Sequence, residues 1–134
     1  MSVLALALSD SAPLRGCRVL IVEDEYFLAD DLDRQFRALG ATVAGPFGRL
    51  DDAMNVLNER GRLDGAVLDV NIRDELVFPL ARALQAREVP FVFTSGYDKS
   101  TLGAEFEGVP HWEKPFDVVA VSQGLVRLIE GSAK

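Results

Sequence analysis

Five short apolar runs, each cut off by Gly, Pro or polar residues, constrain this chain more than any other feature. They fall at residues 17–22, 41–45, 65–70, 90–95 and 109–113. Apolar runs of this length, with β-branched residues such as Val67 among them, read as strands buried on both faces of a parallel sheet. Helical periodicity fills most of the intervals. Leu28, Leu32, Phe36 and Leu39 recur at steps of three and four, and Gly40 is the stop. Leu50 to Leu57 repeats the pattern, with Asp51 and Asp52 in the first turn, where the helix dipole favours acids. Leu76, Leu80, Ala83 and Leu84 mark a third helix, in which Pro79 is tolerable only in the first turn. A last helix has Asp117 as its N-cap and Val118, Val121, Leu125, Leu128 and Ile129 on its inner face. Gly45-Pro46 closes the second strand. Residues 97–108 are the least patterned, and Gly103 and Gly108 make them the expected mobile segment. Strands alternating with helices in this way predict an α/β fold, a doubly wound five-stranded parallel sheet with helices on both faces.

A length of 134 residues with 49% apolar content suffices for one core and leaves no room for a second domain. The net charge of -7 repels phosphate backbones and anionic lipid, so neither direct nucleic-acid binding nor membrane insertion is expected. Cys17 is the single cysteine and His111 the single histidine, which excludes an internal disulfide and a zinc cluster and points to the cytoplasm. The apolar run at residues 3–8 lacks a basic flank and is too short to span a bilayer. Residues 1–16 therefore read as an N-terminal extension, 17–131 as the domain and 132–134 as a tail.

Four of the five strands finish in chemically useful groups: Glu23 and Asp24, then Asp69, then Thr94 and Ser95, then Lys114. Taken singly, each has a plainer reading, Asp69 as the start of a turn and Glu23-Asp24-Glu25 as a helix N-terminus. Parallel strands, however, put all of these ends on one rim, where the loops of an open α/β sheet leave a crevice. Carboxylates converging there raise one another's pKa unless a cation sits among them, and Mg²⁺ is the natural one. The hydroxyl and the ammonium suit the remaining oxygens of a phosphoryl group.

In this ordered set the chain resembles the receiver domain of two-component response regulators, over residues 17 to 131. The matching pieces are Val22-Glu23-Asp24-Glu25, Leu68-Asp69-Val70-Asn71, Thr94-Ser95-Gly96 and Lys114-Pro115-Phe116. The run from Phe93 to Tyr97 is similar to a stand-alone type with a Phe-x-Thr/Ser-Gly-Tyr signature. The resemblance implies a flavodoxin-like receiver fold with Asp69 as phosphoacceptor. Glu23, Asp24, Asp69 and the Asn71 carbonyl would surround Mg²⁺. Ser95, rather than Thr94, would be the switch hydroxyl, Lys114 would contact the acyl phosphate, and a cis bond would precede Pro115. It also implies a sensor histidine kinase or histidine phosphotransfer protein as donor, a downstream protein target, and no enzymatic turnover beyond self-dephosphorylation. Asn71 and Tyr97 stand where they would admit or block the hydrolytic water.

Three departures accompany the match. His111 stands where many receivers carry a Tyr or Phe switch, Glu75-Leu76-Val77 replaces a common Asp-Gly, and the first acid is Glu23 rather than Asp. Two other readings remain at this stage: a phosphorylation-independent binding module, and an aspartyl-nucleophile phosphatase. The phosphatase wants a second acid two residues after the nucleophile, and Asn71 is there instead.

Overall fold

The computed structural model describes residues 12–59, 61–96 and 102–132. The first strand, β1 (Arg18–Val22), leads into helix α1 (Tyr26–Ala38), and β2 (Thr42–Phe47) into α2 (Leu50–Val56). Strand β3 (Gly65–Asp69) is followed by two short strands, β4 (Asn71–Ile72) and β5 (Glu75–Leu76), then α3 (Phe78–Ala86). After β6 (Phe91–Ser95) come a 3₁₀ turn (Ala104–Phe106), β7 (His111–Glu113) and α4 (Val118–Ser132). The main sheet has the order β2-β1-β3-β6-β7, and the paired registers are all parallel. The order reverses between β1 and β3, so the ends of those two strands flank the crevice where doubly wound sheets bind ligands.

Consecutive strand residues feed opposite cores. Leu20, Val22 and Leu68 join Leu50, Ala53 and Val56 of α2 and Leu80, Ala81 and Leu84 of α3 on one face. Val19, Ile21 and Val67 join Leu32 and Phe36 of α1 and Val121 and Leu125 of α4 on the other. β1 from Val19 onward and β3 up to Leu68 are thus without a polar side chain because both faces are covered. Asp117 Oδ1 accepts the Val119 N–H at 2.9 Å, as a residue capping α4 should. The core also takes in Leu14, fully buried and donating its N–H to Leu39 O at 2.9 Å, ahead of the domain start read from the sequence.

The structure departs from the sequence reading in three places. β2 does not close at Gly45-Pro46 but runs through that cis bond to Phe47, with a register shift between Leu20 and Val22. As an edge strand, β2 tolerates a residue without an N–H. Leu76 lies on β5, half exposed, and α3 begins at Phe78 because β4 and β5 pair as an antiparallel hairpin that takes up the preceding residues. Pro79 does fall in the first turn of α3. Within the segment of weakest pattern, residues 97–101, Tyr97 included, lie outside the described residues. The part that is described is anchored: Leu102 and Phe106 are buried, and Phe106 stacks on Phe78 with ring centroids 5.2 Å apart. Arg82 of α3 holds Glu105 through two hydrogen bonds of 2.7 and 3.0 Å.

One close approach is set by a missing side chain. Gly124 of α4 lies under the ring of Trp112, and a Cβ there would overlap the indole, 2.9 Å from Cζ2 and nearer still to Cη2. Gly124→Ala is therefore expected to cost about 1–2 kcal/mol by overpacking, despite the better helix propensity of alanine. Gly131→Ala, in the same helix but in open space, should cost nothing. Thermal denaturation compares the two, and Trp112 fluorescence reports the packing defect because it is the only tryptophan.

Candidate functional site

Glu23 follows β1 directly and its N–H bonds Phe47 O at 2.9 Å, which turns the side chain inward to 2% exposure. Asp69, the last residue of β3, is 3% exposed. Asp24 points outward into solvent. Single oxygens of Glu23, Asp24 and Asp69 nevertheless lie within 4.8 Å of one another. From the far side Lys114 reaches in, its N–H fixed to Ser95 O at 2.7 Å. Its ammonium donates to Asp69 Oδ2 at 2.8 Å and to Glu23 Oε2 at 3.1 Å, and lies 3.4 Å from Glu25 Oε2. The Asn71 N–H donates to Asp69 Oδ1 at 3.3 Å. Around these groups is a cleft of about 440 Å³, lined by Asp24, Glu25, Asp69, Asn71, Gly96 and Lys114 together with Arg73 and Asp74.

The charges are unevenly matched. Burial, and then the charge of Asp69, push the Glu23 carboxyl up to about 8. Burial works against the Lys114 ammonium, yet the hydrogen bond and charge of Asp69, followed by Glu23, outweigh it and hold its pKa above the ordinary lysine value. Glu23 Oε2 accepts from Glu25 N–H at 2.9 Å as well as from Lys114. Glu23 Oε1 is buried with no hydrogen bond among the described residues, although Lys114 Nζ lies 3.1 Å away off the bonding direction. A buried carboxylate oxygen that accepts no hydrogen bond, beside two further carboxylates, fits a hard divalent cation.

Ser95 is fully buried, and its Oγ lies 2.7 Å from His111 Nε2 on the neighbouring strand. Thr94, in register with Asp69 on one side and Trp112 on the other, is also fully buried, and its hydroxyl has no partner among the described residues. The structure thus lines one cleft with Asp24, Asp69, Asn71 and Lys114, packs Glu23 against them through the acid cluster and Lys114, and joins His111 to Ser95. The Lys114-Pro115 bond is cis.

Sequence reasoning missed the hairpin after β3. Its turn residues, Arg73 and Asp74, have φ of 50° and 67°, a conformation that usually calls for Asn or Gly, so no turn signal marked it. The turn brings the Arg73 N–H onto Asp24 Oδ2 at 3.0 Å, tying the hairpin to the acid cluster.

Fold and crevice together define a doubly wound α/β domain with an acidic site and a buried lysine at its switch point. The solution structure of SdrG from Sphingomonas melonis Fr1 is similar at 35% identity, with a TM-score of 0.72, over 84% of this chain and 96% of that one. A BeF3-activated conformation of SdrG from Pseudomonas melonis Fr1 matches at 34% identity and a TM-score of 0.67, over 84% and 95%. A response regulator receiver protein from Sinorhizobium medicae WSM419 (20% identity, TM-score 0.75, 87% and 96% covered) shares the fold. So does a response regulator protein from Burkholderia pseudomallei, solved with a phosphorylated aspartic acid, a calcium ion and citrate (19% identity, TM-score 0.70, 87% and 71% covered). No protein-family model and no curated protein matches the chain. This chain belongs to the response regulator receiver family. No helix among the described residues is long and apolar enough to cross a membrane.

Proposed function

We propose that the chain is a phosphoryl-accepting switch whose acceptor is Asp69. The observation that carries this reading is the buried Asp69 carboxylate, held at 2.8 Å by Lys114, open to a cleft shared with Asp24 and clustered with Glu23. An Asp69 oxygen attacks the phosphorus of a phosphohistidine, the P–N bond breaks as the P–O bond forms, and the leaving imidazole takes up a proton. Lys114 is placed to follow the phosphoryl oxygens as charge moves onto them. Glu23, Asp24 and Asp69, with the Asn71 carbonyl, are the residues that would hold Mg²⁺, which when bound offsets the negative charge of the phosphoryl group. The Burkholderia protein, solved with a phosphorylated aspartic acid and a calcium ion, supports a hard cation as a companion of this fold.

The donor is a sensor histidine kinase or a histidine phosphotransfer protein. Tyr26 and Phe27, at the start of α1 and close behind Glu23 and Asp24 in the chain, are 88% and 87% exposed and offer an apolar surface against which a partner can pack. Loss of the phosphoryl group to water is the only turnover assigned to the chain, which acts by changed contacts with a downstream protein. Its place is the cytoplasm, where the Cys17 thiol stays reduced. Intact-mass spectrometry after incubation with acetyl phosphate tests the reading: one phosphoryl group per chain, gained with Mg²⁺ and not without it, is expected. No gain from acetyl phosphate or from a phosphorylated kinase overturns it.

Ser95 is the switch hydroxyl, and His111 its resting partner. To reach a phosphoryl oxygen, Ser95 must leave the imidazole, so the 2.7 Å contact opposes activation. His111→Phe removes that contact from the resting state. A hydrogen bond contributes about 1 kcal/mol, so phosphoryl occupancy at limiting acetyl phosphate is expected to rise about fivefold. Equal or lower occupancy in that variant would sink this role for His111.

A further inference from the structure

Arg73 stands at the mouth of the cleft and takes no part in the scheme above. We infer that Arg73 is a phosphoryl-binding residue, contributing its guanidinium to the oxygens of the group carried on Asp69. The inference rests on the phosphoacceptor reading and adds a second cation to it. Four observations converge on it.

The backbone of Arg73 is fixed: its N–H donates to Asp24 Oδ2 at 3.0 Å, and Asp24 shares its cluster with Asp69. A long side chain starting there borders the cleft into which Asp69 opens. Next, Arg73 lines both the 440 Å³ cleft over Asp69 and Lys114 and a neighbouring one of about 360 Å³ formed by Asp24, Tyr26, Asp30, Asp33 and Pro46. Third, its guanidinium makes no hydrogen bond or ion pair among the described residues. Asp30 and Asp33, the acids across the second cleft, are instead taken by Arg34 and Arg37. Finally, Arg73 and Asp74 both hold a positive φ that glycine would adopt at no steric cost. A long cationic side chain thus occupies a turn position where local preference favours none.

Charge makes the phosphoryl group the natural partner. In the resting site Lys114 holds Asp69 and Glu23, and the Arg73 guanidinium pairs with neither. The acyl phosphate carries nearly two negative charges where the carboxylate carried one, and it presents three acceptor oxygens at the face Arg73 borders. A planar guanidinium pairs with two such oxygens at once, which an ammonium cannot do.

Beryllofluoride, which is bound in the activated SdrG structure, serves as a non-reacting stand-in for the phosphoryl group. Its affinity at saturating Mg²⁺ is measured by titration calorimetry on the natural chain, Arg73→Gln, Arg73→Lys and Arg87→Gln. The last carries the same change of net charge at α3's far end, away from the cleft. Arg73→Gln is expected to bind about tenfold more weakly, the loss of one charge-assisted contact, with Arg73→Lys in between and Arg87→Gln unchanged. Mg²⁺ affinity without beryllofluoride should stay within about twofold, because the Arg73 N–H to Asp24 survives the substitution. Equal beryllofluoride affinity in Arg73→Gln overturns the inference. So does a parallel fall in Mg²⁺ affinity, which would make Arg73 a support for Asp24 alone. If the natural chain itself fails to bind beryllofluoride, the phosphoacceptor reading falls first and this inference with it.

Discussion

Asp69→Asn is expected to gain no phosphoryl group from acetyl phosphate while remaining folded. The amide matches the carboxylate in size but offers no anionic oxygen to attack phosphorus, so the loss should be complete rather than partial. The fold should survive because Lys114 keeps Glu23 and Glu25 as partners, at 3.1 and 3.4 Å. With the Asp69 charge gone, one cause of the raised Glu23 pKa goes too, and a more ionised Glu23 takes over as counter-ion. Intact mass measures the gain and circular dichroism the fold. Phosphoryl mass retained on this variant would move the acceptor elsewhere, and an unfolded variant would show that the buried ion pair holds the crevice together.

The affinity for Mg²⁺ should climb about tenfold for each pH unit between pH 6 and pH 8 and level off above. Glu23 is pushed up from 4.5 to about 8 by burial first and the Asp69 charge second, so at neutral pH its carboxyl carries a proton that an incoming cation must displace. Calorimetry in buffers of different ionisation enthalpy should register close to one proton released per ion below pH 8. Stability follows the same proton. Between 4.5 and 8 the metal-free folded chain binds a proton that the unfolded chain does not, so its stability falls as pH rises through that window. Added Mg²⁺ should reverse the trend by holding the ionised form. A pH-independent affinity would mean either that Glu23 is already ionised without the ion or that it is not a ligand.

Much of this was legible in the linear chain. Whether a run such as Gly65–Asp69 is buried on both faces depends on its own composition, so strand, helix and their alternation could be read locally, and with them the doubly wound sheet. The residues at the strand ends were legible for the same reason, since a charge just past an apolar run must stand on the rim. Gly45-Pro46 looked like a stop because proline's cost in a strand is local knowledge, whereas β2's place at the sheet edge, which removes that cost, is not.

The sequence by itself determined the layer architecture and which groups reach one rim, because hydrophobic period and strand polarity are properties of contiguous residues. Only the tertiary structure decided what those groups do to one another. Glu23 and Asp24 are neighbours in the chain, yet one is buried with a carboxyl near 8 and the other faces water, because Lys114, Asp69 and Arg73 arrive from distant segments. The bond between Ser95 and His111 and the turn that carries Arg73 arise in the same way. Coulomb and desolvation energies depend on distances of a few ångströms, and chain closure between separate segments sets those distances where local preference cannot.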